Sequence, residues 1–376
     1  MKYFILFIFL LVPEIRTSSS LNFTLIRPDD LMIRYMGRFD FRNPLQPSFG
    51  WPGSSIEFMF EGTSCTLLLE NFSENKDGYG MPHLSYYNVW LDGRLLAPLE
   101  VMNGKIIYPI VSGLGDKAHH LRLFKRTEAH TGVTAFRGVR LDRGKRLLPL
   151  PRRKQRKIEF IGDSITCGYG NEGDNKRCKF SGKTENNERA YGAITAKNLH
   201  AEYVAVAFSG IGMYQNYDRN KERTMPTMYD RIYPQNDSVF WDFSYWKPQL
   251  VVINLGTNDF AHENPPRWRY VDTYKKFVRK VKSNYPHSKV LLLLSPMVSD
   301  AYPKPRRVRS TLASCLQQVI KELNQEGIWN LHYFELSELD AQNEKDFGCD
   351  FHPSASKHLQ HSDELTLFTK KLMNWE

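Results

Sequence analysis

Between Lys157 and Leu339 five short apolar runs alternate with segments long enough to form helices, and this alternation restricts the fold more than any other feature of the chain. The runs are KIEFIG, EYVAVAFSG, QLVVINLGTND, KVLLLLSPM and LHYFELSEL. Between them lie amphipathic stretches such as ERAYGAITAKNL, RWRYVDTYKKFVRKVKSNY and RVRSTLASCLQQVIKELNQEG. Such a pattern implies a mostly parallel sheet covered by helices on both faces. In open sheets of this kind ligands bind beyond the carboxyl ends of the strands. The residues that close each run are therefore the first candidates for chemistry.

Upstream the pattern is different. From about Leu21 to Leu150 apolar residues recur in near alternation, with turn residues between runs. SSIEFMFEGTSCTLLLEN reads as two strands with Gly62 and Thr63 at the turn, and YYNVWLDGRLLAPLEV as strand, Asp-Gly turn and strand. Short strands at this spacing predict a β-sandwich or jelly roll. The expected organisation is a leader over 1–20, a β-sandwich over 21–150 and an α/β domain over 151–376. The leader is expected because Lys2 precedes the apolar YFILFIFLLV and then small residues, TSSS. That is the layout of a secretory signal peptide, too short to span a bilayer comfortably. The mature protein is thus expected to be soluble, secreted or periplasmic, with no membrane association. Asn22, Asn71 and Asn236 head glycosylation sequons that matter only where the source glycosylates. A net charge of +10 is concentrated partly in RLDRGKRLLPLPRRKQRK, Arg140 to Lys157. With no nucleic-acid fold motif beside it, this run reads as a solvated linker rather than a nucleic-acid surface.

The strand ends carry the chemistry. The first run closes on Gly162-Asp163-Ser164, the second on Gly210 and Gly212, the third on Asn258 and Asp259, and CDFHP near the C-terminus adds Asp350 and His352. Each has an ordinary structural reading. Ser164 or Asp163 can cap a helix, a glycine can serve a turn, Asn258 can make an Asx turn, and His352 can merely precede a helix. Together, on one edge of a parallel sheet, they supply a hydroxyl, a backbone N–H, a side-chain amide and a carboxylate–imidazole pair. Those are the parts of a serine hydrolase.

These blocks resemble the SGNH/GDSL hydrolases: GDS, a glycine after the second strand, GTND and a late Asp/His pair. More narrowly, GDSITCGYG, SGIGMYQNYD, GTNDF and CDFHP, with YMGRFDFRNPLQPSFGWPGSSIEFMFEGTS and LRLFKRTEA upstream, resemble carbohydrate esterase family 2, whose members deacetylate plant polysaccharides. The resemblance covers nearly all of the chain after the leader. It implies a β-sandwich followed by a three-layer αβα, flavodoxin-like SGNH domain. It implies Ser164 as nucleophile, His352 as base and Asp350 as the acid. The oxyanion hole would be the N–H groups of Ser164 and Gly210 with the amide of Asn258, Gly212 being the substitute for Gly210. The broad superfamily places its acid three residues before the histidine, but here that position is Cys349. The implied substrate is an acetylated polysaccharide or oligosaccharide, attacked without metal or organic cofactor. Tyr169, Tyr214, Trp268 and Phe351 are candidates to face the sugar, with Tyr214, Phe351 and Trp268 taken as substrate-binding.

Rival readings are an SGNH esterase acting on lipids or small esters, and a carbohydrate-binding protein without catalysis. Two local expectations follow from a triad. Residues 350–352 should be extended, so that the Asp350 carboxylate reaches His352 Nδ1; if the loop coils instead, a backbone carbonyl must serve. Pro353 favours the extended form by restraining His352. Of five cysteines, Cys167 and Cys349 flank the triad and are expected within bridging distance, with Cys167–Cys178 as competitor. Cys65 and Cys315 have no assigned partner, and no cysteine spacing suits zinc.

Overall fold

The computed structural model describes residues 22–73 and 84–376; the expected leader lies outside them. The first part is a sandwich of two antiparallel sheets. One runs Ile107–Val111, Cys65–Phe72, Val133–Asp142, Ser48–Phe49, Phe39–Asp40, with Phe23–Ile26 on the long strand. The other runs Leu147–Leu148, Ser55–Gly62, Lys117–Lys125, Ser85–Leu91, Arg94–Leu95, with Arg34–Met36 and Leu99–Val101 alongside. Alternate residues from both sheets, among them Phe58, Phe60, Leu67, Leu69, Leu121, Leu123, Phe136 and Val139, form one core. Asp92 and Gly93 both take positive φ, as a tight hairpin turn requires. The turn at Gly62 is of another kind: the strands on either side of it belong to opposite sheets, so it carries the chain across the sandwich.

The second part has a five-stranded parallel sheet: β1 (Arg156–Gly162), β2 (Ala201–Ala207), β3 (Leu250–Asn254), β4 (Lys289–Leu294) and β5 (Leu331–Glu335). Their order is β2-β1-β3-β4-β5, the flavodoxin-like order. The helices are α1 (Ser164–Cys167), α2 (Tyr191–Asn198), α3 (Arg267–Asn284), α4 (Val308–Gln325) and α5 (Ala355–Met373). Successive strand residues point to opposite faces. Ile161, Val251, Ile253, Val290 and Leu292 pack with Tyr270, Tyr274 and Phe277 of α3 and Leu312 and Leu316 of α4. Phe160, Val252, Leu291 and Leu293 pack with Tyr191 and Ala196 of α2 and Leu365 of α5. The result is three layers, helix–sheet–helix.

The two parts interlock. Trp51 of the sandwich is fully buried in the core of the α/β part, and its indole N–H donates to the Arg231 carbonyl at 3.1 Å. Arg38 and Glu159, both buried, pair at 3.1 Å across the boundary. The basic run is only half exposed and is not merely a solvated linker, since it includes the end of Val133–Asp142 and the strand Leu147–Leu148. Arg153 pairs with Glu202 at 3.3 Å, and Lys154 and Arg156 donate to the carbonyls of Ala201 and Leu199.

Candidate active site

The switch point of the sheet lies between β1 and β3, and at the end of β1 Gly162 stands opposite Ala207 of β2 on one side and Asn254 of β3 on the other. Gly162 has no room for a side chain, since a Cβ there would meet Thr166 Oγ1 at 2.0 Å. The chain therefore turns tightly into α1. Asp163 is the cap, its Oδ1 accepting the Ile165 N–H at 3.0 Å. Burial pushes that carboxyl up to about 7. Ser164 opens the helix, and its hydroxyl lies 2.8 Å from His352 Nε2. The capping reading is thus realised by Asp163, which leaves the adjacent Ser164 hydroxyl facing the imidazole.

His352 is half-buried just before α5, stacked on the Tyr169 ring at 4.2 Å. Its Nδ1 lies 3.0 Å from the main-chain carbonyl of Asp350. A carbonyl only accepts, so Nδ1 carries the proton and Nε2 is left bare to accept from Ser164. Burial lowers the imidazole to about 4, more than the Asp350 contact raises it, so the ring is neutral near pH 7.

The extended loop expected for Asp350 is not found. Asp350 sits at φ 49, ψ 41 and Phe351 at φ 61, both left-handed. Such a conformation costs a non-glycine residue about 1–2 kcal/mol, and here neighbours enforce it. The Asp350 N–H donates to the Cys178 carbonyl at 2.9 Å and the Phe351 N–H to the Lys176 carbonyl at 3.2 Å. This coil turns the Asp350 carboxylate away from the ring and towards Lys179 Nζ and the Tyr169 hydroxyl, both at 2.9 Å, and the Phe180 N–H at 3.2 Å. Burial raises that carboxyl, but Lys179 and Tyr169 outweigh it and hold it below its ordinary value.

The expected disulfides are corrected too. Cys349 bonds to Cys178, with Cα atoms 4.6 Å apart. Cys167, the last residue of α1, is free and fully buried. The chain after Cys167 runs on to Gly170, whose carbonyl accepts the Cys349 N–H at 2.9 Å, and the loop carrying Cys178 then closes over Cys349.

The candidate donors follow the ends of β2 and β3, the two strands that flank β1. Gly210, at φ 76, presents its N–H without an internal partner among the described residues, while the Gly212 N–H is taken by Asn216 Oδ1 at 3.0 Å. Asn258 Nδ2 spends one hydrogen on the Ile211 carbonyl at 2.7 Å and keeps the other. Asp259, buried and pushed up to about 6 by that burial, accepts the N–H groups of Met213, Tyr214 and Gln215, fixing the loop after β2.

The aromatic candidates separate. Tyr169 packs on the His352 ring itself. Phe351 is exposed beside His352. Tyr214 is half-buried, with its hydroxyl 3.4 Å from Arg269, and Trp268 is exposed at the start of α3 under the Arg269 guanidinium. Neither is brought against Ser164 or His352 by a recorded contact. Sequence reasoning passed over Tyr217. It is exposed, lies tilted against the His262 ring at 4.8 Å, and donates its N–H to the Gly210 carbonyl at 2.9 Å. Its presence in SGIGMYQNYD, seven residues after Gly210, was the available signal.

Among the described residues one group has metal-like proximity: Glu128, Cys167 and Glu185, with ligand atoms within 4.8 Å of one another. The fully buried Lys125 lies beside this group, its Nζ 3.4 Å from the Glu128 carbonyl. Burial lowers its ammonium to about 7 against the opposing pull of Glu185 and Glu128, and raises Glu185 and the Cys167 thiol.

A sheet of this order, with a serine–imidazole pair at the end of its central β1 strand, fits a serine hydrolase of the SGNH type. Residues 160–358 match the GDSL-like lipase/acylhydrolase family, and residues 35–151 match the carbohydrate esterase 2 N-terminal family. The chain belongs to carbohydrate esterase family 2. It is 37% identical over 92% of its length to the cellulase/esterase CelE of Acetivibrio thermocellus, of which it spans only 40%. It is 31% identical to an acetylxylan esterase / glucomannan deacetylase of Cellvibrio japonicus, covering 83% of this chain and 82% of that protein. The solved structure of a family two carbohydrate esterase from Clostridium thermocellum, in complex with cellohexaose, superposes with a TM-score of 0.82 at 35% identity, covering 92% of this chain and all of that one.

Proposed function

We propose that the protein is an exported esterase that removes O-acetyl groups from plant cell-wall polysaccharides such as xylan, mannan or glucomannan. The observation that carries this reading is the 2.8 Å contact of Ser164 Oγ with a neutral His352 at the carboxyl end of β1; the N–H groups of Ser164 and Gly210 and the Asn258 amide are the oxyanion donors of this reading. His352 Nε2 takes the proton as Ser164 Oγ attacks the acetyl carbonyl. The three donors hold the oxyanion, each worth about 3–4 kcal/mol in the barrier. His352 returns its proton to the departing sugar hydroxyl, and water, deprotonated by the same imidazole, cleaves the acetyl-enzyme. Asp350 acts through its main-chain carbonyl, which holds Nδ1–H and stabilises the imidazolium. Phe351, next to His352, and Tyr217, whose N–H bonds the Gly210 carbonyl, are both exposed and suit a sugar ring.

The activities named for the relatives support acetyl removal, and the cellohexaose complex of the related structure supports a β-linked polymer. Export is supported by the apolar start of the sequence and by the Cys178–Cys349 bond, a feature of oxidising compartments. The test is acetate release from acetylated xylan, mannan and glucomannan by the wild type and by Ser164→Ala. Release by the wild type alone supports the reading. Equal release by both removes Ser164 as nucleophile, and no release from any polymer, with a chromogenic acetate still hydrolysed, favours a small-ester substrate.

A further inference from the structure

The loop that offers the Gly210 N–H is held from the other domain. Glu128 lies just past the sandwich strand Lys117–Lys125 and is almost fully buried. Its carboxylate crosses the boundary and grips Ser209 at two points. One oxygen accepts the Ser209 N–H at 2.8 Å and the other accepts the Ser209 hydroxyl. Ser209 immediately precedes Gly210, so the peptide that carries the oxyanion donor is fixed on its N-terminal side by Glu128. On its C-terminal side the Gly210 carbonyl accepts the Tyr217 N–H. Gly210 is left-handed, and a glycine there has wide conformational freedom unless its neighbours remove it.

Glu128 is itself well oriented. Its N–H donates to Glu185 Oε2 at 3.2 Å, and its carbonyl accepts from Lys125 Nζ at 3.4 Å and Thr131 Oγ1 at 2.9 Å. Thr131 and Lys125 also belong to the sandwich, while Glu185 belongs to the loop that leads into α2. The Cys167 thiol at the end of α1 lies against the same carboxylates. One buried polar cluster therefore touches the helix of the nucleophile and the loop of the oxyanion donor at once.

We propose that Glu128 is a positioning residue of the oxyanion hole, so that the sandwich domain completes the catalytic geometry of the α/β domain in addition to any role in holding polymer. The inference rests on the acyl-transfer reading above. A donor that bonds the oxyanion acts only in the transition state, so its misplacement lowers kcat and leaves KM in place. Displacement by about 1 Å at such a site costs up to about 100-fold.

The experiment uses the full chain and the variants Glu128→Gln, Ser209→Ala and the double variant, with Ser164→Ala alongside. Gln keeps the volume and one Ser209 contact, and S209A removes only the hydroxyl contact, so S209A carries the test if E128Q does not fold. The readouts are kcat and KM on a chromogenic acetate, and affinity for a boronic acid, whose tetrahedral adduct on Ser164 places an oxygen in the oxyanion hole. Expected are a loss of kcat of about tenfold or more in E128Q and a smaller one in S209A, KM within about twofold, and a parallel loss of boronic acid affinity. The double variant should resemble E128Q alone, because both changes cut the same contact. The proposal is overturned if folded S209A and E128Q keep wild-type kcat, or if KM rises while kcat and boronic acid affinity hold. Activity retained in Ser164→Ala would instead overturn the acyl-transfer reading on which the proposal stands.

Discussion

Asp350→Asn separates the two ends of one residue. The main-chain carbonyl that meets His352 Nδ1 is untouched by the change, so the imidazole keeps its tautomer and direction. What changes is the side chain. The pair with Lys179 is lost, but that ammonium is 86% exposed and water screens most of the attraction. The Tyr169 hydroxyl and the Phe180 N–H can still be accepted by the amide oxygen, as neutral rather than charge-assisted bonds, a loss of about 1 kcal/mol each. If all of that reached the barrier, kcat would fall about 30-fold; most of it stays in the stability of the loop, so the expected loss is under about tenfold. A carboxylate that oriented the imidazole directly would cost about 10⁴-fold when replaced by its amide. Asp350→Pro supplies the contrast. Proline locks φ near −65°, whereas this residue stands at +49°, so the carbonyl must swing away from Nδ1. Its kcat should fall as far as that of His352→Ala. The assay is turnover of a chromogenic acetate by the three variants, each checked by circular dichroism. A D350N enzyme as impaired as H352A, with an intact fold, would refute the carbonyl mechanism and restore the carboxylate to it.

Other expectations follow from single contacts. The acid limb of kcat/KM should fall near pH 4, because burial keeps His352 neutral and able to accept a proton until the pH drops through its lowered value; a limb near 6.5 in a pH–rate profile would contradict that burial. Cys178→Ser should cost stability, since the bond closes a span of 171 residues, worth up to about 5 kcal/mol in chain entropy. It should also lower kcat by freeing the turn that aims the Asp350 carbonyl; thermal melts and turnover measure the two effects, and reductant on the wild type should reproduce both. Arg38→Met leaves Glu159 buried and unpaired, a loss of about 3–5 kcal/mol, read as a lowered melting temperature.

Periodicity made the three-layer sheet legible in the sequence, because the apolar runs and the 3.6-residue stripes of α3 and α4 are local properties of the chain. With parallel strands, topology alone gathers Ser164, Gly210 and Asn258 on one edge, so candidates for the site could be named before any contact was known. Sequence could not settle how they are held. Whether Asp350 offers its carboxylate or its carbonyl depends on two left-handed residues, and those are enforced by Cys178 and Lys176, more than 170 residues earlier. The partner of Cys349 was misjudged for the same reason: closeness to the triad in sequence does not say which neighbouring loop closes over it. Glu128 stands in LRLFKRTEA with nothing local to mark it. Its role exists only because the sandwich docks against the loop after β2, where burial leaves a carboxylate no water to bond and Ser209 becomes its partner.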